Sequence, residues 1–142
     1  MTNMTMGVHH VGLSVRSLAE SQSFFTEVLG FEVAGGQEGK SAFLTDGTTM
    51  ITLWQTAEQE ATLRTAGLHH LAFRVPNLET LQELENRLRE RKVPIQYDGL
   101  GEYGRLAGIF FYDPSGIRLE AAFEHGGETG GLPTIGGCGG HA

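Results

Sequence analysis

The sequence predicts an α+β fold of two tandem βαβββ modules, at about residues 7–56 and 67–124, that form a curved mixed sheet around a central cup. Three observations predict it: a motif that recurs sixty positions later, a stretch of helical periodicity after each copy, and alternating segments with a turn in each half. The 142 residues, 39% of them hydrophobic, suffice for one domain. We therefore expect residues 1–124 to form a single domain, followed by a glycine-rich tail at 125–142.

The repeat relates residues 9–18 to residues 69–78. Two adjacent histidines open each copy, His9 and His10 in the first and His69 and His70 in the second. A valine and a leucine also coincide between the copies. Each module is therefore expected to begin with a strand that directly follows a histidine pair.

A helix is expected after each of these strands. Ser17 and Glu20 form a capping-box pattern for the first helix, and Gly30 is its expected stop. Asn77 is a good N-cap for the second helix, and Pro94 lies just beyond its end. The apolar residues follow the spacing of one helical face: Phe24, Phe25, Val28 and Leu29 in the first helix, and Leu78, Leu81, Leu84 and Leu88 in the second.

Turn signals complete each module. Residues 45–48 read Thr-Asp-Gly-Thr, and residues 112–116 read Tyr-Asp-Pro-Ser-Gly. Such residues initiate turns because Asp accepts hydrogen bonds from the backbone and Gly tolerates positive φ. Each helix is thus followed by two or three strands.

Charge and composition exclude several classes of protein. Seventeen acidic against ten basic residues give a net charge of −7, without the basic cluster that a nucleic acid requires. The apolar stretches have the length of strands, so no membrane span is expected. The start lacks a signal-peptide pattern, and one cysteine cannot form an internal disulfide. We expect a cytoplasmic protein with a small-molecule substrate or drug as its partner.

Strand alternation places three polar residues on one face. Val11, Leu13 and Val15 share the helix-covered face of their strand, so His10 opposes it. The same alternation sets His70 and Glu120 against their apolar neighbours. If the sheets curl around one face, these three residues converge there, beside the small residues Gly12, Ala72 and Ala122. Two neutral imidazoles and a carboxylate suit a divalent metal that also holds a substrate.

Residues 98–105 contain three glycines and precede a strand. They are suited to a mobile flap over the site, and equally to a solvated hairpin loop. As a flap they supply catalytic candidates: Glu102 or Tyr103 as a proton donor or acceptor, and Arg105 as an anion clamp. Arg74 and Arg118 share the proposed inner face and are candidates to hold a substrate carboxylate or to pair with Glu120 or Glu102.

The tail is dominated by glycine, which occupies eight of the fifteen positions from 126 to 140. Cys138 and His141 are metal-ligand types within it. Two such residues in a glycine-rich end favour a flexible terminus over a metal site. A tail docked on a partner subunit is the alternative.

Four segments resemble the vicinal oxygen chelate superfamily, the glyoxalase, bleomycin-resistance and dioxygenase group. They are residues 10–15 (HVGLSV), 24–25 (FF), 28–31 (VLGF) and 113–120 (DPSGIRLE). The resemblance covers nearly the whole chain except the tail. It implies paired βαβββ modules, frequent homodimers with swapped or local sites, and a metal held by residues matching His10, His70 and Glu120. It makes the second histidine of each pair the ligand, in agreement with strand alternation, and leaves His9 and His69 on the other face.

Departures from the family patterns narrow the subfamily. Glyoxalase I enzymes use a fourth ligand, a glutamate, where this chain has Thr52. Extradiol dioxygenases carry a histidine and a tyrosine where this chain has Tyr103 and Phe110. Fosfomycin-resistance enzymes place a threonine two residues after the first histidine, where this chain has Gly12. The first two assignments are therefore disfavoured and the third is weakened.

Two classes of function follow. The first is a metal-dependent enzyme that chelates a small oxygen-bearing substrate, with lyase, isomerase or thiol/epoxide chemistry. The alternatives are a non-catalytic protein that sequesters a drug or metabolite, as in the bleomycin-resistance branch, and a divergent dioxygenase. Retention of all three ligand types favours the enzyme. Mn, Fe, Zn, Co and Ni all suit the mixed nitrogen and oxygen set.

Overall fold

The computed structural model describes residues 1–126 and 131–139, and the chain divides into two compact units, Met1–Gln59 and Glu60–Ala142. Each unit contains a four-stranded mixed sheet and one α-helix, in the order βαβββ. The predicted α+β class and its two modules are confirmed. Within the described residues, no helix is both long and apolar enough to cross a membrane.

The first unit is built from β1 (Val11–Ser14), α1 (Leu18–Glu27), β2 (Glu32–Gln37), β3 (Ser41–Thr45) and β4 (Met50–Trp54). Its strand order is β1-β4-β3-β2, with β1 parallel to β4 and the other pairs antiparallel. The predicted cap is present, because the Ser17 side chain accepts a 3.3 Å hydrogen bond from the Glu20 amide. Helix α1 lies against β3 and β4 and buries Phe24 and Phe25.

The second unit is built from β5 (Leu71–Arg74), α2 (Leu78–Glu90), β6 (Gly101–Tyr103), β7 (Leu106–Tyr112) and β8 (Arg118–Glu124). Its strand order is β5-β8-β7-β6, which repeats the topology of the first unit. Asn77 caps α2 by accepting a 2.9 Å hydrogen bond from the Thr80 amide. The helix lies against β7 and β8 and buries Leu81, Leu84 and Leu88 of the predicted stripe, whereas Leu78 is half-buried.

The internal repeat extends to the strand register. In the first unit Thr52 of β4 pairs with Gly12 of β1, and in the second Glu120 of β8 pairs with Ala72 of β5. On the other side, Thr52 pairs with Phe43 and Glu120 pairs with Phe110. Thr52 therefore occupies in the first unit the register position that Glu120 occupies in the second.

The turn before β8 is held by one buried carboxylate. Asp113 Oδ1 accepts hydrogen bonds from the amides of Ser115 at 2.8 Å and Ile117 at 3.0 Å. Gly116 follows at φ +81°, a conformation that favours glycine. The turn fixes where β8 begins and therefore which of its residues pair with β5 and β7.

Two segments decide between alternatives that the sequence leaves open. Residues 101–103 form a strand, β6, and a tight turn at 104–105 leads into β7, so the segment is a hairpin, the second of the two expected conformations. Residues 131–139, which we call the strap, do not extend away as a flexible terminus. The Glu102 amide donates to the Pro133 carbonyl at 2.8 Å and the Ile135 amide donates to the Glu102 carbonyl at 2.9 Å, so the strap lies along β6.

Candidate metal centre

Three potential metal ligands lie together in the second unit. The Nε2 atom of His70 is 3.3 Å from Oε1 of Glu120, and Sγ of Cys138 is 3.4 Å from the same nitrogen and 3.3 Å from the same oxygen. The donor atoms thus form a nearly equilateral triangle. Imidazole nitrogen, carboxylate oxygen and thiol sulfur all bind divalent transition metals, so the donor set fits the metal that the sequence predicts.

Glu120 lies in the middle of β8, between β5 and β7. It is 1% exposed, although a buried carboxylate is costly unless it is paired and hydrogen-bonded. Its two oxygens have different partners. The Tyr103 hydroxyl donates a hydrogen bond to Oε2, and the Cys138 thiol donates to Oε1. The Glu120 carboxylate is therefore held in one orientation, with Oε1 next to His70.

His70 immediately precedes β5. Its Nδ1 atom is 2.8 Å from Nδ1 of His69, which leaves Nε2 directed toward Glu120. Burial lowers the pKa of His70, an effect that the Glu120 carboxylate opposes. A lowered pKa favours neutral imidazole, which is the form that binds metals.

Tyr103 lies at the end of β6, where its hydroxyl reaches across β7 to β8. Burial, reinforced by the hydrogen bond to Glu120, raises the pKa of Tyr103. The phenol is therefore protonated and acts as a hydrogen-bond donor. The pKa of the Cys138 thiol is also raised, by burial first and then by its hydrogen bond to Glu120.

Arg118 and Phe110 lie beside these ligands and contact each other. The guanidinium carbon of Arg118 lies 4.4 Å from the centroid of the Phe110 ring, a cation–π arrangement. Arg118 is 2% exposed and donates to the Gln96 side chain at 2.9 Å. It also donates to the carbonyls of Gly137 at 3.1 Å and Cys138 at 3.4 Å. Its donors are thus directed at Gln96 and the strap.

The other predicted catalytic residues lie elsewhere. Glu102 pairs with Ala107, whereas Tyr103 pairs with Leu106, and neighbouring residues of a strand point to opposite faces. The register therefore directs Glu102 away from the face that carries Glu120. Arg105 is exposed in the turn after β6, and Arg74 is exposed on β5. The structure thus brings Tyr103, and neither Glu102 nor Arg105, to the candidate centre.

His10 belongs to the first unit. It directly precedes β1, is exposed, and has its Nδ1 atom 2.9 Å from Nδ1 of His9, the arrangement that His69 and His70 also show. Its role as a third ligand stays a prediction from the repeat. His141 lies outside the described residues.

Cys138 is recognisable in the sequence as a metal-ligand type, but the sequence favours a flexible terminus over a metal site for its segment. It is eighteen residues from Glu120 in a glycine-rich segment with no periodicity. The sequence indicates this position of Cys138 only weakly. The cysteine lies in a tail that also contains Pro133 and Ile135, whose backbone groups form hydrogen bonds with the edge strand β6.

Known proteins share this architecture. Residues 7–121 match the family model of the Glyoxalase/Bleomycin resistance protein/Dioxygenase superfamily. Glutathione transferase FosA of Serratia marcescens is 30% identical over 118 residues, which are 82% of this chain and 80% of that protein. Catechol-2,3-dioxygenase of Bacillus subtilis is 26% identical over 117 residues, which are 78% of this chain but 40% of the dioxygenase.

Among solved structures, a glyoxylase/bleomycin resistance protein/dioxygenase domain from Frankia sp. EAN1pec matches with a TM-score of 0.74 and 27% identity. The match covers 85% of this chain and 99% of that domain. The repeated βαβββ units and the register of Glu120 are consistent with the family match, which covers most of the chain. The chain therefore belongs to the glyoxalase, bleomycin-resistance and dioxygenase superfamily.

Proposed function

We propose that the protein is an enzyme that holds one divalent metal through His10, His70 and Glu120 and acts on a small oxygen-bearing substrate. The observation that carries the proposal is the 3.3 Å approach of His70 Nε2 to Oε1 of a buried glutamate. A surface ion pair alone would leave the Glu120 carboxylate exposed. The family resemblance instead places this carboxylate on the inner face of the sheet as a metal ligand, where burial is expected. Membership of a superfamily that includes metalloenzymes supports the same conclusion.

The residues of the second unit then have distinct roles. A bound metal would act as a Lewis acid that polarises a substrate oxygen. Glu120 contributes negative charge and an oxygen ligand, and His70 contributes a neutral nitrogen ligand. Tyr103 orients the carboxylate through Oε2 and is a protonated donor at the same site. We assign Tyr103 the proton transfer to an oxygen that gains negative charge during the reaction.

Two residues guide the choice of reaction. The family resemblance aligns Thr52 with the fourth ligand of glyoxalase I enzymes and Phe110 with the tyrosine of extradiol dioxygenases, so neither of these two activities is favoured. Similarity to glutathione transferase FosA supports the remaining class, addition of a thiol to a small electrophile such as an epoxide. In that reaction the thiol releases its proton to solvent and the thiolate sulfur attacks carbon. The carbon–oxygen bond breaks, the released oxygen takes a proton from Tyr103, and solvent returns a proton to the phenol.

Metal analysis of protein purified without a histidine tag or chelator tests the proposal first. We expect close to one divalent metal per chain. The metal-loaded protein is then screened against epoxides with thiols, 2-oxo aldehyde thiol adducts, β-keto acids and catechols, with mass spectrometry for product. Protein without metal would contradict the proposal. Tight ligand uptake with no product would replace it with the sequestering function.

A further inference from the structure

The strap brings a third kind of metal ligand to this site. Its first part is an added strand-like segment on β6, held by the two backbone hydrogen bonds of Glu102 to Pro133 and Ile135. Thr134 also forms a parallel bridge with Glu102. The backbone path toward Cys138 is therefore set by the edge of the sheet that carries Tyr103.

The turn that carries Cys138 is fixed by side chains of the site. Tyr97 donates its hydroxyl to the Gly137 carbonyl at 2.8 Å, and Arg118 donates to the same carbonyl at 3.1 Å. Gly137 has φ +63°, and a methyl group there would lie 2.7 Å from Cδ2 of Tyr103. This position therefore requires glycine on two counts, the backbone conformation and the close approach of the Tyr103 ring.

The geometry of the three donor atoms matches a coordination polyhedron. The Cys138 sulfur, the His70 nitrogen and the Glu120 oxygen are separated by 3.4, 3.3 and 3.3 Å. A tetrahedral metal with bonds of about 2.0–2.3 Å to nitrogen, oxygen and sulfur holds such ligands roughly 3.3–3.7 Å apart. One ion can thus contact all three atoms with little rearrangement of the side chains.

We propose that Cys138 is a ligand of the metal, and that the strap places its sulfur in a coordination position that a substrate otherwise takes. The inference rests on the proposed function, because it requires the metal held by His70 and Glu120. Binding releases the thiol proton to solvent and leaves a thiolate on the metal. The site then has a capped form with the strap in place and an open form after the strap leaves. A sulfur ligand also shifts preference toward zinc and cobalt and away from manganese.

Cobalt(II) reports the ligands directly. Bound cobalt gives visible d–d bands, and a thiolate ligand adds a charge-transfer band in the near ultraviolet. The metal-free full-length protein is titrated with Co²⁺ alone, together with Cys138→Ser, Gly137→Ala and Thr134→Ala variants. Thr134→Ala is the matched control, because the Thr134 side chain is exposed and its strap contact is through the backbone.

The expected result is both sets of bands in the natural protein and in Thr134→Ala. Cys138→Ser should keep the visible bands and lose the near-ultraviolet band, and Gly137→Ala should lose most of it because the strap is displaced. Visible bands without a thiolate band in the natural protein would overturn the Cys138 assignment and leave the proposed function intact. Absence of all cobalt bands would overturn both. A full thiolate band in Gly137→Ala would overturn the role given to the strap.

Discussion

The hydroxyl of Tyr103 donates a hydrogen bond to Oε2 of Glu120, the carboxylate whose Oε1 lies 3.3 Å from His70. The phenol of Tyr103 thus orients Oε2 of Glu120, while Oε1 remains directed at His70. This division separates the roles of the two residues: Glu120 is needed to hold the metal, and Tyr103 is needed to position the carboxylate and supply a proton.

Replacement of Tyr103 by Phe should therefore affect turnover and not metal content. We expect a loss of about a hundredfold or more in kcat, the scale for removal of a general acid. Metal per chain, measured by elemental analysis, should stay near that of the natural protein. Tyr112→Phe is the matched control, since its hydroxyl contacts Gln96 at 3.4 Å. Turnover that survives in Tyr103→Phe would remove the phenol from the mechanism.

Removal of a proposed ligand should instead lower the metal content. His10→Ala, His70→Ala and Glu120→Ala should each lower the metal content greatly, because each deletes one donor from a three-ligand set. The circular-dichroism spectrum should remain nearly unchanged. Glu83→Ala serves as the control, since Glu83 lies on the exposed face of α2 in an ion pair with Arg87. Full metal occupancy in a His10→Ala, His70→Ala double variant would refute the assignment.

Local patterns are sufficient to predict the fold and the positions of two residues of the candidate site. Period-two alternation placed Glu120 on the face away from Leu119, and the repeat identified His70 from His10. The caps at Ser17 and Asn77 were likewise predictable, because each involves a backbone amide three residues away. These features depend on interactions close in sequence or on a duplicated pattern.

Long-range contacts explain what the sequence did not predict. Residues 98–105 carry no clear strand alternation in the sequence, which therefore groups Glu102 with Tyr103 by proximity, whereas β6 directs them to opposite faces. The position of Cys138 depends on hydrogen bonds from Tyr97 and Arg118 to the strap backbone. Contacts of this kind leave no periodic signal in a glycine-rich segment.

The turn before β8 should be a stability determinant. Asp113 is buried and accepts two backbone hydrogen bonds, so Asp113→Ala leaves two amides without this partner and should cost about 1–3 kcal/mol in the free energy of unfolding. Asp113→Asn retains an oxygen acceptor and should lose less. Asp46→Ala is a matched control, because Asp46 also accepts hydrogen bonds from two backbone amides, those of Thr48 and Thr49, but at an exposed turn. Urea unfolding of metal-free protein measures the three values, and equal losses at the two turns would contradict burial as the cause.

We expect the protein to form a homodimer. The family resemblance implies frequent homodimers, and both sheets here are open, with all six residues of the edge strand β2 exposed. Light scattering at micromolar concentration should give twice the chain mass of 15.4 kDa. A mass of one chain across the micromolar range would show the expectation to be wrong.

Arg118 should control whether the strap stays on the sheet. Its planar guanidinium donates at once to the Gln96 side chain and to the carbonyls of Gly137 and Cys138, while its face lies on Phe110. Lysine keeps the charge but lacks the planar guanidinium with its several N–H donors, so Arg118→Lys cannot donate to all of these acceptors in the same geometry. We expect faster amide hydrogen exchange in the strap, above all at Ile135, whose amide bonds Glu102, with little change in α2. Arg87→Lys is the control, because Arg87 forms an exposed ion pair on that helix. Unchanged exchange at Ile135 in Arg118→Lys would mean that the β6 backbone bonds alone hold the strap, and that Arg118 serves the site in another way.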